Sequence, residues 1–185
     1  MSTERFLQTG RLGDDTVLTK KVKDGKLFKR RTRGFEHVEK EFLKHNGADG
    51  FLPKRGTSGS AGYDFRSPVD VTILPGEQFM IWTNVKAYLQ PNEVLLIDVR
   101  SSIGTKYGIV LGNTLGVVDS DYYSNPQNDG NIGLCLKNTG KSPFEIKRGD
   151  KVCQGIFVNY LIADNDNPVD KNRVGGFGST DKKGR

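Results

Sequence analysis

The sequence predicts an all-β fold, either a barrel or a sandwich, on three observations. Short runs rich in β-forming residues recur along the chain, and turn signals such as Pro75-Gly76 and Pro91-Asn92 separate them. The 23 glycines and 7 prolines interrupt the chain too often for long helices after residue 50. A length of 185 residues fits one domain with a short appendage.

The predicted elements follow in order. Segment 17–28 is typical of a hairpin, because Asp24 and Gly25 can adopt the positive φ angles of a tight turn. Phe35, Val38 and Phe42 have the spacing of one short helix, followed by Gly47. Six further runs have the composition of strands, namely 69–74, 79–89, 93–99, 107–111, 131–136 and 151–162.

Charge and composition divide the chain into three predicted parts. The whole net charge of +6 lies in the first 55 residues, which hold 14 of the 28 Lys and Arg and 8 of the 22 Asp and Glu. We therefore predict a basic, hairpin-like extension at 1–31, a β core, either a barrel or a sandwich, at 32–163 and a flexible C-terminal arm at 164–185, which is poor in apolar residues.

Several classes of protein are disfavoured. The chain lacks the run of about 20 apolar residues that spans a membrane, and its N-terminus lacks the apolar stretch of a secretory signal. Cys135 and Cys153 are too few for a disulfide scaffold, which predicts a reduced, cytoplasmic protein with no membrane association. The neutral remainder argues against a DNA-reading domain, although the basic run at 29–33 leaves nucleic-acid binding by the extension open.

Five segments carry side chains suited to chemistry on a polyanion. Segment 61–64 ends in Asp64. Segment 100–106 offers the planar guanidinium of Arg100 with the hydroxyls of Ser101 and Ser102. In 113–122, Asp119 and Asp121 alternate along a segment that we expect to be extended, so that their side chains share one face.

The other two segments lie nearer the C-terminus. Segment 149–154 is a turn that leads into a strand and offers the amide of Gln154. Segment 173–180 combines Arg173 and Phe177 with flexible glycines and two hydroxyls. Taken alone, each of the five segments also has a purely structural explanation, such as a turn cap, an ion pair or a linker.

In this order the segments resemble the five motifs of the homotrimeric dUTPase family, the dUTP nucleotidohydrolases. AGYDF, RSSIGTKYG, NTLGVVDSDYY, RGDKVCQ and RVGGFGST resemble the first to the fifth motif, and the resemblance extends from about Lys54 to Thr180. It implies a jelly-roll-like β-barrel, a homotrimer with active sites at subunit interfaces, and hydrolysis of dUTP to dUMP and pyrophosphate supported by Mg²⁺.

The resemblance also implies roles for individual residues. Asp119 matches the catalytic carboxylate that activates the attacking water. Asp64 matches a carboxylate that acts through the water shell of the metal ion, and no side chain of the protein is expected to bind the metal directly. Asn113 and Gly116 match the uracil-binding positions, Tyr122 the aromatic ring under the deoxyribose, and Phe177 the cover over the base. The remaining substrate-binding positions are Arg100, Ser101, Ser102, Gln154, Arg173, Gly178, Ser179 and Thr180.

Four departures from the family pattern stand out. Residues 123–129 form an insertion where the commoner pattern has about one residue, and we expect it to bulge near the site without removing it. Arg173 lies four residues before Phe177, whereas many members place an arginine five before, and Asp181 stands where a glycine is usual. Residues 1–31 have no counterpart in the family core.

Two alternative functions can be compared with this one. A dCTP deaminase of related fold uses a glutamate base near the pyrimidine, and no Glu occurs between Glu93 and Glu145, which disfavours that reaction. A dUTP-binding regulator would instead use the extension and the insertion to bind a protein partner, and the sequence leaves this open as a second function.

Overall fold

The computed structural model describes residues 19–21, 27–29, 31–168 and 175–176. The chain divides into two units, Met1–Thr32 and Arg33–Arg185. In the first unit, β1 (Thr19–Lys21) pairs antiparallel with β2 (Leu27–Lys29), which is the arrangement of a hairpin. The turn predicted between them lies outside the described residues, and the division into three parts at 1–31, 32–163 and 164–185 remains a prediction.

The second unit consists mainly of short strands. They are β3 (Gly34–His37), β4 (Lys54–Arg55), β5 (Tyr63–Arg66), β6 (Val71–Ile73), β7 (Gln78–Trp82), β8 (Val85–Tyr88), β9 (Glu93–Val99), β10 (Ile109–Leu111), β11 (Gly116–Val118), β12 (Gly133–Asn138), β13 (Phe144–Ile146) and β14 (Lys151–Asn159). Within the described residues there is one α-helix, α1 (Ser101–Tyr107), and there are three 3₁₀ turns, Lys40–Phe42, His45–Gly47 and Ser120–Tyr122. The predicted all-β fold without long helices is confirmed.

The strands form antiparallel sheets around one core. A five-stranded sheet has the order β11-β9-β14-β5-β4, a three-stranded sheet has the order β10-β12-β7, and β6 pairs with β13 and β3 with β8. Along β9, Leu95 and Ile97 are buried while Asp98 is exposed, because successive side chains of a strand point to opposite faces of the sheet. One face of the five-stranded sheet therefore closes the core, and the other, which carries Asp98, faces outward.

The run predicted as one strand over 79–89 is two strands, β7 and β8. Asn84 separates them in the left-handed conformation, with a φ of 57°. Its buried side chain accepts a hydrogen bond from the Lys44 amide and donates to the carbonyls of Lys44 and Ala48. The interruption between β7 and β8 places the Asn84 side chain where it binds the loop from Lys44 to Ala48. The hydrophobic composition of the run does not reveal this interruption.

Two other predicted elements are wrong in part. The helix expected from Phe35 onward is absent: Phe35 lies in β3, opposite Ala87 of β8, and its ring packs against Phe65 and Phe157. Packing between strands distant in sequence outweighs the helical spacing. Tyr107 ends α1 and does not begin a strand, because Gly108 stops the helix with a φ of 69°.

Candidate functional site

An apolar cavity of about 240 Å³ lies between β11 and β12. Its lining includes Asn113, Gly116, Tyr122 and Cys135, and Gly176 of the C-terminal segment. The volume equals roughly eight water molecules in the liquid, which is enough for a small planar ring. Three of the predicted substrate-binding residues therefore lie around one cavity.

A tight loop between β10 and β11 forms one wall of this cavity. The Thr114 amide donates to the Leu111 carbonyl at 3.0 Å, and Thr114 has a positive φ of 65°. The Asn113 side-chain amide donates to the Leu115 carbonyl at 3.0 Å. A Cβ on Gly116 would lie 3.2 Å from the Ile97 Cβ, so the absence of a side chain lets this loop approach β9 closely.

Tyr122 also lines this cavity and is only 8% exposed. Its hydroxyl donates to the Asn131 carbonyl at 2.9 Å and accepts from the Asn128 side-chain amide at 2.7 Å. A Cβ on Gly176 would lie 2.8 Å from the Tyr122 Cε2, so the C-terminal segment passes directly over the ring. Tyr122 thus lines the cavity and also contacts the segment 128–131 and the C-terminal segment at Gly176.

Asp119 lies three residues before Tyr122, at the start of the 3₁₀ turn. It is half-buried and extended, with φ −79° and ψ 161°, and its carbonyl accepts from the Tyr122 amide at 3.2 Å. The expected extended segment through Asp121 is wrong, because the chain turns at Ser120. Strand alternation therefore does not place Asp119 and Asp121 on one face, and Asp121 is exposed.

The insertion, residues 123–129, lies beside Tyr122, as expected, and three of its polar side chains are buried. Asn125, Asn128 and Asp129 are 4%, 7% and 5% exposed. Lys86 of β8 binds the Asp129 carboxylate at 2.7 Å, and the Glu39 amide donates to the same carboxylate at 2.8 Å. The inward packing follows because these polar side chains find buried partners.

A second, polar cavity of about 410 Å³ lies at the ends of β5 and β14 and at the start of α1. Asp64, Arg100, Ser101 and Gln154 line it, as the sequence predicts for residues that act on one ligand. Register brings them together, since Gln154 of β14 lies opposite Asp64 of β5. A Cβ on Gly62 would lie 2.8 Å from the Gln154 Oε1, so this glycine permits the close packing.

The charges in the polar cavity are paired around Asp64. One of its carboxylate oxygens lies 3.2 Å from the Arg100 Nε, and the other lies 2.6 Å from the Lys151 Nζ. An adjoining cavity of about 550 Å³ adds Lys54, Arg55 and Arg66 to the lining. Cations thus outnumber carboxylates among the described residues of both cavities, which suits an anionic ligand.

Sequence reasoning missed Lys151, although it lies in the same segment as Gln154. It also missed Asn128 and Gly176 as neighbours of Tyr122, because only the folded chain brings them there. Ser102 is exposed on α1 beside Ser101. The predicted residues Arg173, Phe177, Gly178, Ser179 and Thr180 lie outside the described residues.

The side chains in the described part of the chain determine which groups could coordinate a metal ion. The described part of the chain contains no group of three or more His, Cys, Asp or Glu side chains that could hold one. Asp64 faces the polar cavity with both oxygens next to cations. Asp64 is the one carboxylate among the described residues that line this cavity, so a metal ion there would need further oxygen ligands from water or from an anionic ligand.

Two further observations concern the chain as a whole. None of the helices in the described ranges has the length and apolar character needed to cross a membrane. Cys135 and Cys153 are both free thiols, and burial raises the pKa of the Cys153 thiol.

A ring-sized apolar cavity and a cationic cavity on one β fold are together the features of a nucleotide-binding protein. A family model described as dUTPase matches residues 48–181. The chain belongs to the dUTPase family, as the five motifs predict, and the predicted class of enzyme, a dUTP diphosphatase, is confirmed.

Individual relatives agree. The chain is 45% identical over 149 residues to the deoxyuridine 5'-triphosphate nucleotidohydrolase of Lactococcus lactis subsp. lactis, a match that covers 80% of this chain and 97% of that protein. It is 38% identical over 150 residues to the protein of the same name from Neisseria meningitidis serogroup C, with coverages of 77% and 95%. The crystal structure of the dUTPase from Streptococcus mutans matches with a TM-score of 0.62 at 39% identity, over 71% of this chain and 99% of that chain. The predicted jelly-roll-like fold is consistent with this neighbour.

Proposed function

We propose that this chain hydrolyses dUTP to dUMP and pyrophosphate by in-line attack of a water activated by Asp119 on the α-phosphate, assisted by Mg²⁺. The reaction would limit incorporation of uracil into DNA and supply dUMP for thymidylate synthesis. The observation that carries the proposal is the position of Asp119 in the chain: it directly follows Val118 and lies three residues before Tyr122, and both of these residues line the ring-sized cavity.

The apolar cavity accounts for selection of the nucleoside. Uracil pairs with the backbone groups and side chain of the loop from Asn113 to Gly116, and cytosine would leave polar groups there unpaired at about 1–3 kcal/mol each. The Tyr122 ring lies under the deoxyribose and leaves no room for a 2′-hydroxyl. Phe177 covers the base when the arm closes over it.

The polar cavity accounts for binding of the phosphates. Arg100, Ser101, Ser102 and Gln154 donate hydrogen bonds to the triphosphate, and Lys151, at 2.6 Å from Asp64, adds a further positive charge beside them. Arg173, Gly178, Ser179 and Thr180 of the arm complete this set. Donors fixed before the substrate arrives stabilise the charge that develops in the transition state.

Asp119 acts as the general base. A carboxylate in this role needs only hydrogen-bond reach to the attacking water, and proton acceptance by such a group accelerates a reaction by roughly 10²- to 10⁴-fold. Mg²⁺ held mainly by the triphosphate would neutralise part of the phosphate charge. Asp64 would contact the water shell of that ion, and Arg100 and Lys151 hold the carboxylate in place.

A homotrimer with sites between subunits fits the exposed face of the five-stranded sheet. Val117 of β11 and Ile156 of β14 both lie opposite Leu96 of β9, so the three form one apolar patch. Val117 is 56% exposed and Ile156 is 39% exposed in the single chain. Ile156 also lines the polar cavity, which supports a subunit interface at the phosphate site. The two free thiols support a reducing, cytoplasmic location.

The proposal is tested by pyrophosphate release from dUTP, dTTP, dCTP and UTP, each with and without Mg²⁺. We expect turnover of dUTP to exceed that of the other three nucleotides by a wide margin, and a marked loss without the metal. Asp119→Asn should keep dUTP binding and lose roughly 10²- to 10⁴-fold in kcat, whereas Asp121→Asn, a matched change at an exposed position, should keep full activity. Unimpaired turnover by Asp119→Asn would refute the mechanism, and binding of dUTP by the wild type without pyrophosphate release would favour the regulator alternative.

A further inference from the structure

The insertion, residues 123–129, is built around a buried asparagine network formed by the side chains of Asn125 and Asn128. The Asn125 Nδ2 donates to the Asn128 Oδ1 at 2.7 Å. The Asn125 Oδ1 accepts from the amides of Gln127 and Asn128 at 3.1 and 3.2 Å. The Asn128 Oδ1 also accepts from the Gly130 amide at 3.1 Å. A buried network whose members are satisfied in this way is rigid.

This network binds Tyr122 both at its backbone carbonyl and at its side-chain hydroxyl. The Asn125 Nδ2 donates to the Tyr122 carbonyl at 2.8 Å, which fixes the backbone. The Asn128 Nδ2 donates to the Tyr122 hydroxyl at 2.7 Å, and the hydroxyl donates its own hydrogen to the Asn131 carbonyl at 2.9 Å. Because the phenol tip is held by a donor and an acceptor, the tilt of the ring in the cavity wall is set by the insertion.

We infer that Asn128 is a positioning residue for the substrate cavity: it fixes the Tyr122 ring at the tilt that admits a deoxyribose and rejects a ribose. This inference rests on the proposed function, because it assigns the ring its place under the sugar. A ring free to tilt would leave space for a 2′-hydroxyl. The substitution should therefore change the choice between sugars, and not simply the stability of the fold.

A contact with the C-terminal segment supports this role. A Cβ on Gly175 would overlap the Gln127 Oε1, and one on Gly176 would lie 2.8 Å from the Tyr122 Cε2. The insertion and the ring that it positions therefore form one continuous surface under these two glycines. A displaced ring would disturb both the cavity wall and this surface.

The test is a double-mutant cycle with Asn128→Asp and Tyr122→Phe. Aspartate keeps the shape of asparagine, but its ionised carboxylate cannot donate to the phenol, and phenylalanine removes the hydroxyl while keeping the ring. Asn128→Leu is a second variant without a buried charge, and Asn92→Asp, an exposed position in another turn, is the matched control. The measurement is kcat/KM for dUTP and for UTP, together with the thermal unfolding midpoint.

We expect Asn128→Asp, Asn128→Leu and Tyr122→Phe each to reduce the dUTP-to-UTP ratio of kcat/KM by about tenfold. The double variant should reduce it no further than either single variant, because both changes remove the same contact. The inference is overturned, and the proposed function is not, if a folded Asn128 variant keeps the wild-type dUTP-to-UTP ratio of kcat/KM. The same holds if the effects of the Asn128 and Tyr122 substitutions on this ratio multiply in the double variant. A wild type that releases no pyrophosphate from dUTP overturns the proposed function and this inference with it.

Discussion

The buried ion pair between Lys86 and Asp129 makes a sharp test of how the insertion is attached. The Lys86 Nζ lies 2.9 and 2.7 Å from the two carboxylate oxygens of Asp129, and both residues are 5% exposed. Asp129 also accepts the Glu39 amide. Lys86→Met keeps most of the aliphatic stem and removes the charge, so the Asp129 carboxylate remains buried without its cation.

Removal of one partner from a buried pair costs about 3–5 kcal/mol, since the remaining charge is desolvated without compensation. For a chain of this length, each kcal/mol lowers the thermal midpoint by about 2–4 °C. We therefore expect Lys86→Met to lower the midpoint by about 6–20 °C. The urea midpoint should fall as well, with an unchanged dependence of the unfolding free energy on urea concentration.

Two further variants make this test specific. Lys137→Met changes an exposed lysine on β12 and should alter the unfolding free energy by less than about 0.5 kcal/mol. The double variant Lys86→Met/Asp129→Asn removes both charges, and the side-chain carbonyl that replaces the carboxylate can still accept the Glu39 amide, so this variant should be more stable than Lys86→Met alone. If Lys86→Met matches the Lys137→Met control, the ion pair does not stabilise the fold and the reasoning is refuted.

Two other predictions concern pH and the C-terminal segment. Burial lowers the pKa of His45, whose neutral Nε2 accepts a hydrogen bond from the Trp82 amide at 3.0 Å. The contribution of His45 to the stability of the fold is therefore complete above about pH 6.5 and is lost as the pH falls through the lowered pKa. His45→Gln should flatten that loss in urea unfolding between pH 7.5 and 5, and equal slopes would contradict it. Gly176→Ala should raise the KM for dUTP by about tenfold, because its Cβ meets the Tyr122 ring. Gly59→Ala, where a Cβ meets nothing within 4 Å, is the control, and equal KM values for the two variants would contradict the prediction.

Local patterns were sufficient where one stretch of chain decides the outcome. Strand β9 covers the run predicted for it, 93–99, because the turn residues Pro91 and Asn92 precede that run and most of its residues are apolar and favour strands. Phe35 shows the opposite case. Its helical spacing is real, but pairing of β3 with β8 and contacts with two aromatic rings from β5 and β14 determine its conformation.

The candidate site divides in the same way. Arg100, Gln154 and Asp64 were recognisable one by one from their motifs, whereas their meeting in one cavity, and the arrival of Lys151 beside them, depends on sheet register. The insertion could be recognised in the sequence from its length, but the sequence did not show that some of its side chains are buried. Its polar side chains turn inward because the Tyr122 hydroxyl and the Lys86 ammonium are there to bind them.

The order of residues by itself determined the family, the β-rich fold and the chemical character of each motif, since these depend on residue type and on spacing along the chain. The tertiary structure alone decided which side chains share a cavity, which carboxylate is surrounded by cations and which loop supports the aromatic wall. The physical reason is that hydrogen bonds and ion pairs act over a few ångströms in space, and residues far apart in sequence reach that distance only after the strands have paired.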